Sequence, residues 1–145
     1  MRENMRHTAY STNVVTRAFT WAYQEIGFSE EQAAELLGAT LSSLNRANAV
    51  GFHKVSYEYR TQLAFIRMYY LLISVTEGDA EMMRHWFHRF HPILNTSPKL
   101  LCLDSDGIEK VTDYLRTVRQ NKVRFRPNPI SESADLASKP AATIH

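Results

Sequence analysis

The chain has 145 residues, of which 44% are hydrophobic, so it is long and apolar enough to form one domain with a substantial core. A formal net charge of +2 does not by itself indicate nucleic-acid binding, and 22% charged residues is near the globular average. The single cysteine, Cys102, excludes an internal disulfide. No apolar run is long enough for a membrane span, and the first residues lack the apolar core of a signal peptide. We therefore expect a cytoplasmic protein without a membrane partner.

The first predicted helix begins at Ser11 or Thr12 and ends at Gly27, a residue type common at helix C-termini. Its apolar stripe has helical spacing and comprises Val15, Ala18, Phe19, Ala22 and Ile26. Trp21 and Tyr23 lie off this stripe, and the spacing leaves open whether they cover neighbouring helices or form an interface.

Residues 29–37 are predicted to form a second helix, which opens with a capping box at Ser29 and Gln32. Gly38 permits a tight turn after it, and Leu44 returns an apolar side chain to the shared core from a following short helix. This is the spacing of a helix-turn-helix, whose second helix contacts DNA. The candidate DNA-binding residues are Thr40, Ser42, Ser43, Asn45 and Arg46.

The same polar residues could also form the outer face of a purely structural helix. The second helix carries one base, Arg46, whereas Glu30, Glu31 and Glu35 lie on the helix before it. Affinity for DNA depends heavily on cationic contacts, so this is a thin charge signal. A dimer or a larger complex would multiply weak contacts, and promoter DNA therefore remains a predicted partner.

The longest predicted helix covers roughly residues 54–76, with a break at Gly78. It carries two apolar rows at helical spacing. One row comprises Val55, Tyr59, Leu63, Ile66 and Tyr70, and the other comprises Phe65, Met68, Leu72 and Val75. Because a helix that is apolar on two sides is usually central or at an interface, we expect it to join the two halves of the chain and to support dimerisation.

Residues 86–115 contain two apolar helical segments joined by a stiff connector. The apolar side chains of the first segment are Trp86, Phe87 and Phe90. Pro92 ends that segment, because proline lacks an N–H and disfavours a helical residue before it. Ser97-Pro98 matches an N-cap followed by proline at the first helical position. After Asp104, a last amphipathic helix has its apolar stripe at Ile108, Val111, Leu115 and Val118.

This order of features resembles the C-terminal toxin-binding domain of the Xre/MbcA/ParS antitoxin family. The matching residues are Trp86, Pro92, Pro98, Leu100, Leu101, Gly107, Val111 and Leu115. There are two departures: His91 stands where asparagine is usual, and Leu94-Asn95-Thr96 replaces the usual glycine-containing loop. The N-terminal helix-turn-helix is similar to the Xre-type module of the same family. Without the family, the C-terminal pattern would also fit an ordinary helical hairpin.

The resemblance implies an all-α antitoxin of a type II toxin–antitoxin pair. Its partner would be a RES-domain toxin that consumes NAD, and its N-terminal module would bind the promoter of the operon. The implied toxin-binding ridge comprises Trp86, Pro92, Ile93, Leu94, Pro98, Leu100 and Leu101. Basic side chains that would extend toward the anion-binding part of the toxin's cleft are Arg119, Lys122 and Arg124. We expect a homodimer or a hetero-oligomer with the toxin.

We divide the chain into a helix-turn-helix module at residues 1–52, the long helix with the toxin-binding domain at 53–122, and a disordered tail at 123–145. The tail is rich in Pro, Ser and Ala, a composition typical of disorder. Two residues of the ridge, Trp86 and Leu101, could instead belong to the core. The acid-free basic segment at residues 116–126 could be a solvated helix end whose cations complement the helix dipole.

No catalytic set emerges, because the sequence has no glycine-rich phosphate loop and no nucleophile elbow, so we predict a binding protein without a cofactor. His85, His88 and His91 recur at helical spacing, but no Cys or carboxylate completes a zinc site in register, so we predict no metal site. We expect Cys102 to be a small buried side chain. Two alternatives to an antitoxin are a stand-alone helix-turn-helix transcription regulator with a helical dimerisation domain and an interaction protein that does not bind DNA.

Overall fold

The computed structural model describes residues 11–124, with side chains as far as Asn121, and in this range the regular elements are helices together with an isolated β-bridge between His91 and Thr96. The helices in chain order are α1 (Thr12–Glu25), α2 (Glu30–Leu37), α3 (Leu41–Val50), α4 (Tyr57–Thr76), α5 (Ala80–His88), α6 (Pro98–Leu101) and α7 (Ser105–Arg124). The all-α class expected from the sequence is confirmed. None of these helices has the length and apolarity that crossing a membrane requires.

Short-range signals determine where the helices begin and end. The Ser29 hydroxyl accepts a hydrogen bond from the Gln32 N–H at 3.0 Å, and the Gln32 side chain accepts one from the Ser29 N–H at 2.9 Å, which is the predicted capping box. Gly38 ends α2 in the left-handed region at φ 66°. Asp79 and Ser97 cap α5 and α6 with their side chains, and the sequence pattern Ser97-Pro98 predicted the second of these caps.

Two helices are shorter than predicted, and both differences expose an apolar side chain. Ser56 is the N-cap of α4, so Val55 precedes the helix and is 73% exposed rather than part of an apolar helical row. α5 ends at His88, because Arg89 adopts an extended conformation with φ −87° and ψ 149°. Phe90 therefore lies beyond the helix and faces solvent.

α4 is the central helix and packs against α1, α2, α5 and α7. Phe65, Met68 and Leu72 of one predicted row are fully buried, and Val75 at the end of that row is half-buried. The Phe65 ring meets the rings of Phe19 and Phe28 at centroid distances of 5.3 and 5.5 Å. The second predicted row is half-buried or exposed and comprises Val55, Tyr59, Leu63, Ile66 and Tyr70. The core therefore uses one of the two rows.

α1 packs on α4 with its predicted apolar stripe, with one exception. Ala18 faces solvent, whereas the polar Thr16 is buried. The Gln62 amide on α4 donates a hydrogen bond to the Thr16 hydroxyl at 3.1 Å, so this buried polar pair is satisfied inside the core. Tyr23 is buried and so covers the neighbouring helices, whereas Trp21 is exposed.

α7 packs along α4 and α6. It completes the core with Ile108, Val111 and Leu115. At its start, the Asp104 carboxylate accepts a hydrogen bond from the Gly107 N–H at 2.8 Å. Gly107 is buried against α6, where an added β-carbon would overlap the carbonyl oxygen of Leu101. The absence of a side chain at Gly107 therefore lets α6 and α7 approach closely.

One continuous cluster of buried side chains extends from Phe19 in α1 to Leu115 in α7. The boundary predicted at residue 52 falls in the connection between α3 and α4, yet the residues on both sides contribute to this cluster. The expected tail at residues 123–145 begins inside α7, and the residues after 124 lie outside those that the structure describes.

Candidate protein-binding and DNA-binding surfaces

The connector between α5 and α6 is a compact loop held together by the backbone of His91. Its N–H donates to the Thr96 carbonyl at 3.0 Å, and its carbonyl accepts from the N–H groups of Leu94 and Asn95 at 2.9 and 2.8 Å. Asn95 occupies the left-handed region at φ 59°, which asparagine tolerates better than most residues. These bonds present Ile93 to solvent at the tip of the loop.

The side chain of His91 is buried and fixes the loop to two helices. Because a carbonyl oxygen can only accept, the imidazole Nε2–H donates to the Trp86 carbonyl at 2.9 Å, at the C-terminal end of α5. The imidazole contacts the Trp86 ring at 4.6 Å and the Tyr114 ring at 5.7 Å, and those two rings stack at 6.0 Å. Burial lowers the pKa of His91, which favours the neutral imidazole. The His91 side chain therefore anchors the loop to α5 and α7.

A groove of about 760 Å³ lies between this loop and α7. Its apolar lining comes from Ile93, Leu94, Leu101, Tyr114 and Val118. Its polar lining comes from Lys110, Asp113, Thr117 and Asn121. An apolar concavity with polar groups around it is typical of surfaces that receive a side chain from a protein partner or a small ligand.

The residues of the predicted toxin-binding ridge differ in exposure. Ile93 is 75% exposed, and Leu100 and Pro92 are exposed as well. The half-buried members are Trp86, Leu94 and Leu101. Pro98 is buried at the first position of α6, so it supports the ridge from within rather than facing solvent. The structure therefore leaves an exposed apolar ridge beside α7, although its members contribute unequally.

Phe90 is a contact candidate that the sequence pattern assigned to the apolar face of a helix. It is 56% exposed, because the chain leaves the helix one residue earlier. Pro92 restricts the backbone of His91, the residue directly before it, so it does not by itself predict a helix end at His88. Phe90 adds an exposed aromatic ring to the connector.

The basic residues near the end of α7 lie on a regular helix. Arg116 pairs with Asp113 at 2.9 Å, and both side chains are exposed. Arg119 is exposed, and the helical backbone continues through Lys122 to Arg124. The register places Arg119 and Lys122 one turn apart on the same side of α7. The side chains of Lys122 and Arg124 lie outside the part of the chain that the structure describes.

The second and third helices are joined by a short turn and pack against each other, which is the order of elements that the sequence predicted. Residues 38–40 form the turn, and the buried Ala34 and Leu44 lie in α2 and α3, which pack against each other. The Thr40 hydroxyl accepts a hydrogen bond from the Ser43 N–H at 3.0 Å, so Thr40 caps α3, and Ser43 is half-buried. The exposed candidates on α3 are Ser42, Asn45 and Arg46. α3 therefore has a polar outer face, while Thr40 and Ser43 also stabilise its first turn.

Two basic side chains of α5, His88 and Arg84, make structural contacts. His88 Nε2–H donates to the Ile26 carbonyl at 3.1 Å, and Arg84 donates to the Glu25 carbonyl at 3.1 Å, so both side chains bind the end of α1. His85 is exposed. Across residues 11–124, no group of three or more His, Cys, Asp or Glu side chains is arranged to hold a metal ion.

Cys102 lies fully inside the core. Burial raises the pKa of its thiol, and the nearby Asp104 carboxylate raises it further. The thiolate is the nucleophilic form of cysteine, so this side chain packs as a small apolar group.

No protein-family model matches this chain, and no curated protein matches it. The functional interpretation therefore depends on the residue pattern and on the geometry of the connector loop, the groove and the helix-turn-helix.

Proposed function

We propose that this chain is the antitoxin of a type II toxin–antitoxin pair, and that it acts in the cytoplasm by blocking the cleft of a RES-type, NAD-consuming toxin. The order of Trp86, Pro92, Pro98 and Gly107, which resembles the toxin-binding domain of Xre/MbcA/ParS antitoxins, supports this proposal. The observation that carries it furthest is the connector loop, which exposes Ile93 beside an apolar groove. Apolar side chains grouped on a fixed loop are typical of protein-binding surfaces.

The loop is pre-organised for binding. The backbone hydrogen bonds of His91 close the loop on itself, and the His91 ring packs against the rings of Trp86 and Tyr114, so these contacts require no partner. Ordering a side chain at an interface costs about 0.5–1.5 kcal/mol, and a loop that is already ordered avoids part of this cost. We therefore expect Ile93 and Leu100 to be the anchoring contacts. Half-buried ridge residues would shape the groove beneath them.

The base-rich end of α7 would extend this surface. Arg119, Lys122 and Arg124 would reach toward the part of the toxin's cleft that binds the phosphates of NAD. Because such a cleft is itself electropositive, we expect these bases to meet carboxylates at its rim. The combined variant R119A/K122A/R124A should weaken neutralisation of the toxin, and unchanged neutralisation would show that this end is an ordinary solvated helix terminus.

Co-expression with the adjacent RES-type gene tests the ridge directly. Ile93→Asp in the full chain should abolish rescue of growth, since a carboxylate at the loop tip would be desolvated by the bound toxin. Val55→Asp is the matched control, because Val55 is equally exposed but lies in the turn before α4. Full rescue of growth by the Ile93 variant at normal expression would show that the ridge does not contribute to neutralisation of the toxin.

We further propose that the helix-turn-helix binds the promoter of the same operon. The exposed face of α3 supports this, because Asn45 can bond an adenine edge and Arg46 can bond phosphate or guanine. The variant N45A/R46A should lose promoter binding in a mobility-shift assay at moderate salt. The same variant should still neutralise the toxin, since both substitutions lie on α3, far along the chain from the connector. Loss of both activities would indicate a general folding defect.

The helix-turn-helix also supports a second candidate, a stand-alone transcription regulator whose C-terminal half dimerises. Gene context separates the two candidates, because a RES-type reading frame beside this one favours the antitoxin. Under the second candidate, Ile93→Asp would leave promoter binding unchanged and no toxin would be neutralised by the wild-type chain. Failure of the wild-type chain to bind promoter DNA at moderate salt would instead favour an interaction protein without DNA.

A further inference from the structure

The outer side of α1 carries apolar side chains that stay exposed among the residues the structure describes. Trp21 is 60% exposed at the centre of this side, and Ala18 and Val14 are exposed one and two turns before it. The patch continues onto α4, because the Trp21 ring meets the Tyr69 ring at 5.9 Å and Tyr69 contacts Tyr70 at 5.9 Å. Tyr70 is itself 61% exposed. These residues, apart from the buried Tyr69, form what we call the α1 patch.

Opposite charges flank Trp21 at equal distances along α1. Arg17 lies four residues before it and Glu25 four residues after it, so both are one turn from Trp21 on the same side of the helix. Arg17 is exposed and Glu25 is half-buried. Burial and the Glu25 carboxylate raise the pKa of Tyr69 to about 12, which is consistent with a Glu25 side chain directed toward the patch. Arg17 therefore places a positive charge at one end of the patch and Glu25 a negative charge at the other, where Arg84 bonds the Glu25 backbone carbonyl.

We infer that the α1 patch binds a second copy of this chain, with the two α1 helices antiparallel about a two-fold axis at Trp21. This arrangement places Trp21 of one protomer against Trp21 of the other, and Arg17 of each protomer opposite Glu25 of the other. A two-fold interface requires a surface that is complementary to itself, and this charge order meets that requirement. A parallel pairing would place like charges opposite each other.

The self-complementary pattern favours a second copy over an unrelated partner, which would need no symmetry about Trp21. Two partly exposed aromatic rings offer on the order of 150 Å² each, which is well below the area that a standard interface buries on each partner. We therefore expect a weak dimer with a dissociation constant in the micromolar range. α3 packs against α1, so such a dimer would carry its two exposed α3 faces at a fixed separation. The dimer does not depend on the proposed toxin-binding function.

Sedimentation equilibrium of the full chain at micromolar concentrations tests this surface. The wild-type chain should be a reversible dimer, and Trp21→Ala should raise its dissociation constant at least tenfold. Val55→Ala, which removes an exposed apolar side chain elsewhere, should leave the dissociation constant unchanged. A monomeric wild-type chain would overturn the inference. If the wild-type chain is monomeric and Trp21→Ala weakens toxin binding, the patch belongs to the toxin interface, and the inference is again overturned.

Charge reversal tests the antiparallel two-fold arrangement itself. Arg17→Glu and Glu25→Arg should each weaken the dimer, because each places like charges opposite each other twice. The double variant R17E/E25R should restore it. An equimolar mixture of the two single variants should form heterodimers, since one protomer then carries two acids and the other two bases. Failure of both the double variant and the mixture to restore association, in chains with wild-type circular dichroism, would exclude this arrangement.

Discussion

Gly107→Ala probes the close contact between α6 and α7 on which the groove depends. The added β-carbon would overlap the carbonyl oxygen of Leu101, and no side-chain rotation relieves the overlap because the obstacle is backbone. Overpacking costs about 1–3 kcal/mol, and we expect the upper end because α6 must move as a unit. The better helix propensity of alanine would offset at most about 1 kcal/mol. The net expectation is a loss of about 2 kcal/mol in the free energy of unfolding.

Thermal unfolding followed by circular dichroism measures this loss. For a chain of this size, about 2 kcal/mol corresponds to a fall of roughly 4–8 °C in Tm. Glu109→Ala is the matched control, because Glu109 is exposed on the same helix and its removal should change stability by less than about 0.5 kcal/mol. We also expect weaker neutralisation of the toxin by the Gly107 variant below its Tm, since α7 forms one wall of the groove. An unchanged or higher Tm for this variant would refute the close approach of the two helices.

Three further predictions concern buried side chains. Folding lowers the pKa of His91, so the unfolded chain binds the proton more tightly than the folded chain does. The free energy of unfolding should therefore decline as the pH falls below about 6.5 and level off below the folded pKa. His91→Asn should reduce this decline in urea titrations at pH 7.5 and 5.5, and identical pH dependence in both proteins would contradict the prediction. Thr16→Val leaves the Gln62 amide buried without its partner and should lower the free energy of unfolding by about 1–3 kcal/mol. In urea denaturation, the double variant T16V/Q62L should lose less stability than the sum of the losses in the two single variants. Cys102 should resist iodoacetamide in the folded chain and react in urea, and equal rates would show that the thiol is accessible.

The candidate ridge was predictable only in part from the sequence. Pro92 and Ser97-Pro98 predicted a stiff connector, because proline and capping residues act within one or two positions of themselves. The exposure of Phe90 and the burial of Pro98 were not predictable, since each depends on where the loop packs against α7. The anchoring role of His91 required the closed loop, which brings its imidazole to the Trp86 carbonyl.

By itself, the sequence determined the helical class and most helix ends, because apolar spacing sets the helical period and residues such as Ser29 and Gly38 act on their immediate neighbours. The tertiary structure decided which of the two apolar rows of α4 became the core, since both rows have the same period and periodicity alone does not rank them. It also placed Tyr23 inside and Trp21 outside. Burial depends on which helices pack against a face, and that depends on contacts between residues far apart in the chain.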